Sequence, residues 1–275
     1  MGTTQRINPG VTGQPNWKGL NGAATNVAKT VEIEIEDDKY IDNKTPEQKA
    51  REYQRLILRR NNNLTSLFNY LIKTGGGTKK VISGKSSSIG RAGKKTSSKL
   101  THFFIDVKSN GLEQTLRESG FGNLDGKTTL DIINFLVVYC SDGATGLDET
   151  AANKASLEVL NKIAEESGND IDKFEQILSD YATGAGMANL VCDFWGCYIF
   201  EHLSQRFEEK ITQQKGEAIS TETFKIIKDD IIGRVNVLND KRPVSKINWK
   251  GTEGEKIRES IFEEIINILC DGKNN

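Results

Sequence analysis

An all-α multi-helix bundle with a flexible N-terminal arm is the fold class this sequence predicts, on three observations. Only four prolines occur in 275 residues, and only Pro46 falls within the body of a predicted helix. Apolar residues recur over long stretches with the 3.6-residue period of an α-helix. Strand-like alternation is confined to a short acidic stretch around Ile33 and Ile35, and its charge density suits a tether equally well.

The elements follow in order. Residues 1 to about 15 offer only Ile7 and Val11 as sizeable apolar groups, amid glycines and Pro9 and Pro15, so burial cannot offset the entropy of ordering them. They are expected to form a mobile arm. Trp17, Leu20, Ala24, Val27 and Val31 share a helical face, weakened by Gly19 and Gly22, and Glu32 to Asp42 reads as an acidic linker. The expected division is therefore an arm and tether over 1–44 and a helical domain over 45–275, with a sub-boundary near 109–128. Thr45-Pro46-Glu47-Gln48 predicts a helix start, with Thr45 as cap, proline in the first turn and Gln48 closing a capping box. That helix runs to Gly75-Gly76-Gly77. After a flexible glycine loop, the next helix spans Ser87 to Lys108 and stops at Asn110-Gly111; Gly90, Ala92, Gly93 and Ser97 on it imply close helix contact. Further helices are predicted over 112–119, 129–140, 148–167, 170–181, 188–214, 221–237 and 253–269. The 188–214 segment is apolar around nearly its whole circumference, which marks the central core helix.

Composition bounds the function. A hydrophobic content of 36% and mean hydropathy of −0.50 suit a soluble folded chain, and no apolar run approaches the roughly twenty residues that span a bilayer. The start lacks the charged and apolar regions of a secretory signal, and Arg6 stands where a myristoylation signal needs Ser or Thr. A cytosolic protein is expected, with Cys140, Cys192, Cys197 and Cys270 as buried thiols. The net charge of −1 hides a segregation. No acidic residue lies between Glu52 and Asp106, whereas Arg55, Arg59, Arg60, Lys73, Lys79, Lys80, Lys85, Arg91, Lys94, Lys95 and Lys99 do. Asp142 to Asp180 is an acidic block. The basic stretch, with Lys79, Lys80, Lys85, Arg91, Lys94 and Lys95 as its candidate contacts, either faces acidic helices of this chain or a partner, or binds a polyanion such as nucleic acid. Phe68, Tyr70, Phe103 and Phe104 lie at helical spacing, so core packing explains them more simply than base stacking.

Catalytic signals are thin. Gly84-Lys85-Ser86 imitates the end of a phosphate-binding loop, but Lys79 stands where the first glycine belongs and no strand precedes it. His102 and His202 have no second histidine at ligand spacing, so no metal site and no cofactor is predicted. His202, with Glu201 and Cys197 on one helix, could imitate a thiol–base pair, yet the five-residue offset separates their faces and a structural histidine is expected. No enzyme is predicted. One reactive group stands out: removal of Met1 would leave the α-amine of Gly2. With a pKa near 8, about a third of it is unprotonated near pH 7.5, against about a thousandth of a lysine. An ordinary frayed start accounts for the same composition.

The order of features from Met1-Gly2-Thr3-Thr4 through Ile89-Gly90-Arg91-Ala92, Gly111-Leu112, Leu116-Arg117, Gly120, Gly122, Leu124 and Gly126 resembles the QatB family, accessory proteins of the Qat anti-phage defence system. Gly146-Leu147-Asp148-Glu149 with Ala151, and Trp249, Gly251, Gly254, Ile257 and Phe262, extend the resemblance over most of the chain. These are caps, turns and packing positions, which specify a family rather than a chemistry. The resemblance implies a bacterial operon that also encodes an ATPase, a QueC-like enzyme (QatC-like) and a TatD-like hydrolase. It further implies that this chain is the protein substrate or adaptor of the QueC-like enzyme. Gly2 would accept an activated 7-deazaguanine carboxylate, and Thr3 and Thr4 would be recognised by the partner. The alternative role is a nucleic-acid-binding or scaffolding adaptor that uses the basic 55–99 segment.

Overall fold

The apolar stretch around Phe194 to Leu203 lies at the centre of a computed structural model, within a long helix, α9 (Gly184–Lys215). The structure describes residues 16–39, 45–141, 145–239 and 247–271. Among the described residues are eleven helices and no strand. The others are α1 (Trp17–Lys39), α2 (Pro46–Thr74), α3 (Thr78–Ile82), α4 (Arg91–Asn110), α5 (Leu112–Glu118), α6 (Thr129–Cys140), α7 (Leu147–Ser167), α8 (Ile171–Tyr181), α10 (Glu217–Asn239) and α11 (Thr252–Cys270). Helix α9 packs against α1, α4, α7, α8, α10 and α11. Its middle is enclosed by these neighbours and is accordingly apolar around most of its circumference, whereas Glu208 and Glu209 nearer its C-terminus are exposed.

The helix ends follow local chemistry where a side chain is available to cap them. Thr45 and Gln48 close a capping box on α2, and Thr128 and Asp131 close one on α6. Asp170 caps α8 through the Lys173 amide. Helix α4 is among the helices without such a cap: its cap position is Gly90, with φ of 104° and no side chain to offer. The predicted start at Ser87 is therefore four residues early, because the left-handed turn at Gly90 interrupts the helix. The expected close contact is present. A Cβ at Gly93 would lie 2.6 Å from the Trp195 ring, so only glycine lets α4 reach α9 there.

Two further expectations are corrected. Glu32 to Asp42, read as a linker, is helical as far as Lys39. The reason is tertiary: Val31 is buried, Glu32 pairs with Lys215 of α9, and Glu34 meets Arg60 of α2 at 3.1 Å. Gly19, a weakness for an isolated helix, lies directly under the Tyr70 ring and permits the close α1–α2 approach. The glycine loop after α2 contains the short helix α3, pinned by the fully buried Val81. The buried apolar side chains form one continuous cluster, from Leu20 on α1 through Phe104, Leu116 and Ile132 to Leu269 on α11, and it spans the 109–128 stretch. Phe68, Phe103 and Phe104 are in it, as core packing required.

At Gly90 a Cβ would stand 2.1 Å from the Val81 carbonyl oxygen, in a backbone conformation that L-residues avoid. Gly90→Ala is expected to destabilise the fold by about 3 kcal/mol or more in urea unfolding. Gly22→Ala, in open space on α1, is expected to stabilise it by roughly 0.5–1 kcal/mol.

Candidate functional site

The densest group of titratable side chains is built around α4's missing cap. Helix α9 presents Tyr198, His202 and Arg206 at four-residue intervals on one face, and α7 presents Asp148 in its first turn toward them. One Asp148 carboxylate oxygen accepts from the Ala92 amide at 2.8 Å; the other accepts from the Gly90 amide at 3.2 Å, the His202 Nε2 at 3.1 Å and the Tyr198 hydroxyl. Arg206 donates to His202 Nδ1, to the His202 carbonyl at 2.8 Å and to the Ser88 carbonyl at 3.2 Å. The carboxylate of α7 thus replaces the absent cap of α4, where the amides of a helix N-terminus favour negative charge.

The protonation states follow from this geometry. Burial alone would raise the Asp148 pKa, but hydrogen bonds from His202, Ala92 and Tyr198 outweigh it and bring it to about 2. His202 falls to about 4 because it is buried and faces the Arg206 guanidinium, which Asp148 offsets only partly. It is neutral at pH 7, with Nε2–H donating to Asp148 and Nδ1 accepting from Arg206. Burial lowers Arg206 to about 10, so it keeps its proton. Burial and the Asp148 charge push the Tyr198 phenol well above its ordinary value. An anion and a cation are therefore joined through a neutral imidazole. Tyr198 and His202 are both fully buried, so the group joins α4, α7 and α9 and offers no nucleophile to solvent.

His202 is structural, as expected. Cys197 lies on another side of α9, beside Glu158 of α7, and burial followed by neighbouring carboxylates raises its thiol far above the ordinary range. Cys140 and Cys192 are buried; Cys197 and Cys270 are only partly so, which corrects the expectation for two of the four. No three His, Cys, Asp or Glu side chains converge as metal ligands among the described residues. No helix there is long and apolar enough to cross a membrane. The sequence reading missed Asp148, Tyr198 and Arg206 as a unit. The available signal was three polar residues at four-residue spacing, on one face of the central helix.

The basic residues divide into two groups. Arg60 pairs with Glu34, and Lys94 pairs with Glu255 at 3.1 Å and with Glu259. Lys99 donates to the carbonyls of Tyr139 and Ser141 at 2.9 and 3.1 Å. Their acidic partners are therefore on α1 and α11; within the acidic block Glu158 pairs with Lys228 of α10, while the block's own Lys154 and Lys162 pair with Glu201 and Asp193 of α9. Lys79, Lys80, Lys85, Arg91 and Lys95 remain exposed. Gly84 packs against Arg91 and Lys94, which places the α3 turn beside the start of α4. Gly2, Thr3 and Thr4 lie outside the described residues. The described chain begins at Asn16, whose side chain donates to the Lys73 carbonyl at 3.3 Å, and Trp17 stacks on Phe207 with centroids 5.6 Å apart. Residues 1–15 therefore join the body at the same end of α2 from which the turn into Lys79 and Lys80 leaves.

Asp148→Ala would leave the Ala92 amide, the His202 Nε2 and the Tyr198 hydroxyl buried without their acceptor, and is expected to cost about 3–5 kcal/mol in chemical unfolding. The pH dependence has a definite sign. His202 has a folded pKa of about 4, below its ordinary 6.5, so stability is lost as pH falls from 6.5 toward 4. Asp148 adds a further loss between 3.8 and about 2. A decline on the order of 3 kcal/mol between pH 7 and 4 is expected from His202. It should flatten in His202→Gln, measured by urea unfolding at each pH.

Comparison with known proteins finds no match among curated proteins or solved structures. Residues 83–269 match the family described as Qat anti-phage system associated protein QatB. That span holds the whole Asp148 group, all three helices that it joins, and well over half of the sequence. The chain therefore belongs to the QatB family and is a component of a Qat anti-phage defence system.

Proposed function

We propose that this chain is a non-catalytic protein substrate and adaptor within its Qat system. A QueC-like partner enzyme attaches a 7-deazaguanine to its N-terminal region, and the acceptor is the α-amine of Gly2 after removal of Met1. The partner activates the 7-deazaguanine carboxylate with ATP. The unprotonated amine then attacks the activated carbonyl carbon, an amide forms, the activating group leaves and the amine's proton passes to a base. The partner reads Thr3 and Thr4 as small side chains on an extended backbone. The body docks through Lys79, Lys80, Lys85, Arg91, Lys94 and Lys95, and the ATPase and TatD-like hydrolase of the operon are further partners.

The observation that carries this reading is where residues 1–15 join the body. Trp17 on Phe207 and Asn16 on Lys73 fix the start of α1 at the end of α2 that leads into the exposed α3 lysines. Residues 2–15 can extend at most roughly 50 Å from that anchor. A partner held on the α3–α4 cations therefore has Gly2 within reach, at an effective concentration on the order of millimolar. A depressed amine pKa lets one terminal nitrogen compete with the chain's many lysines.

The test is the mass of the tryptic peptide ending at Arg6, from protein co-expressed with its operon. It should carry one 7-deazaguanine amide, and Gly2→Pro should abolish that mass without altering the melting temperature. Joint reversal of Lys79 and Lys80 to Glu should slow modification by about tenfold at low salt. An unmodified glycine beside an active partner enzyme would sink the proposal.

A second reading is favoured by Arg55 and Arg59, which are exposed without an ion-pair partner among the described residues, next to Tyr53 and Leu58, 66% and 62% exposed. A nucleic-acid adaptor would use them together with the α3–α4 cations. Its affinity for DNA or RNA should fall steeply with salt and disappear on charge reversal at Lys79, Lys80, Lys94 and Lys95. Absent or salt-insensitive binding removes this reading.

A further inference from the structure

The motif ending in Trp249, Gly251 and Phe262 has no part in the reading above, and the structure folds it around a cavity. A cleft of about 280 Å³ separates α4 from α11. Ile82, Trp195 and Phe262 form its apolar side; His102, Lys94, Lys250 and Arg258, with the carboxylates of Glu255 and Glu259, form its polar side. Arg258 is only 6% exposed and has no carboxylate at ion-pair distance among the described residues. Its guanidinium donates to the Trp249 carbonyl at 2.7 Å and to the Ser98 hydroxyl at 3.2 Å. The nearby carboxylates of Glu255 and Glu259 are engaged by Lys94. Burial lowers the Arg258 pKa and the Glu255 and Glu259 charges offset this only in part, so a further anion against the guanidinium would stabilise it.

Two more polar atoms on the same walls lack partners. The His102 Nε2 and the Trp195 Nε1 are buried with no hydrogen-bond partner among the described residues, and Trp195 is 2% exposed. Buried polar atoms are normally satisfied, so two unpartnered nitrogens in side chains that line one cleft leave hydrogen-bonding capacity unused beside it. Lys250 closes the cleft from the turn before α11 and is bonded to Asp106. The geometry points to this cleft as a binding site for a small organic anion. Its apolar body would lie against Ile82, Trp195 and Phe262, and its oxyanion, carboxylate or phosphate, would meet Arg258 and Lys250 beside His102. The site stands apart from any modification at Gly2 and does not depend on it.

His102 provides a built-in reporter. Burial, then Arg258 of α11 and Lys250 of the turn, lower its pKa, while Asp106 on its own helix opposes them. A bound oxyanion offsets both cations, so it raises the His102 pKa and binds more tightly as pH falls through that raised value. The chain has only two histidines, and His202 is sealed within the Asp148 group. Imidazole proton resonances of the full chain can therefore be followed by NMR during titration with benzoate, phenyl phosphate and inorganic phosphate, with His102→Gln for assignment.

The expected result is a saturable shift of the His102 resonance alone, with a raised titration midpoint. Benzoate against phenyl phosphate shows which oxyanion the site prefers. Phenyl phosphate should half-saturate at a lower concentration than inorganic phosphate. Arg258→Gln should raise that concentration about tenfold or more. Lys250→Gln, at a more exposed position, should raise it about threefold and keeps the test valid if the arginine variant does not fold. No movement of His102 with any of the three, or an undiminished shift in the variants that fold, would overturn the site. Equal affinity for phenyl and inorganic phosphate would overturn the organic body of the ligand.

Discussion

The carboxylate of Asp148 is the interaction on which the arrangement of α4, α7 and α9 depends. Helix α4 has to begin at a left-handed glycine because the Val81 carbonyl leaves no room for a side chain at residue 90. A glycine cap contributes no acceptor, so the first amides of α4 would be buried unsatisfied. Asp148 supplies that acceptor from another helix, and its own burial is offset by donors from α4 and α9. The price of this arrangement is a buried charge, and neutral His202 distributes it toward Arg206. The three helices must therefore be positioned together, because removing any one leaves polar groups of the other two without partners.

This construction separates the interior of the molecule from its surface chemistry. The titratable side chains that would look catalytic in a sequence, His202 and its neighbours, are consumed in holding helices together. Exposed cations lie where α3 meets the start of α4 and along α2 at Arg55 and Arg59. Charge segregation along the chain is partly neutralised on folding, by α1 on one side and α11 on the other. Residues 1–15 join the body at the adjoining end of α2.

The α4–α11 cleft repeats the logic with a different outcome. Arg258, like Arg206, is an arginine nearly removed from water and bonded to a carbonyl from a neighbouring turn. Arg206 reaches a carboxylate through the imidazole of His202. Arg258 has no such relay, and the imidazole nearest it, His102, has an unsatisfied nitrogen. One group is electrostatically closed and the other is open, and that difference separates a structural cluster from a binding site.

Most of the fold was legible in the sequence because the signals that encode helices are local. The Thr45–Gln48 capping box, the apolar circumference of α9 and the small residues of α4 each act within a few positions of themselves, and the structure shows each in place. The exceptions are where distant contacts outweigh local preference. Glu32 to Lys39 looks like a tether until Lys215 and Arg60 neutralise its carboxylates, and Gly19 looks like a defect until Tyr70 packs over it. Ser87 to Ile89 would extend a helix had Val81 not forced the turn at Gly90. Gly90 and Asp148 were visible as motif positions, but not as partners, because nothing local to either residue encodes the hydrogen bond between them. The sequence by itself determined which segments are helical, which helix is central and which family the caps and turns resemble. The tertiary structure alone decided which charges are neutralised, which histidine is sealed and which arginine is left facing a cavity, because electrostatic and hydrogen-bond energies depend on distance through space and not along the chain.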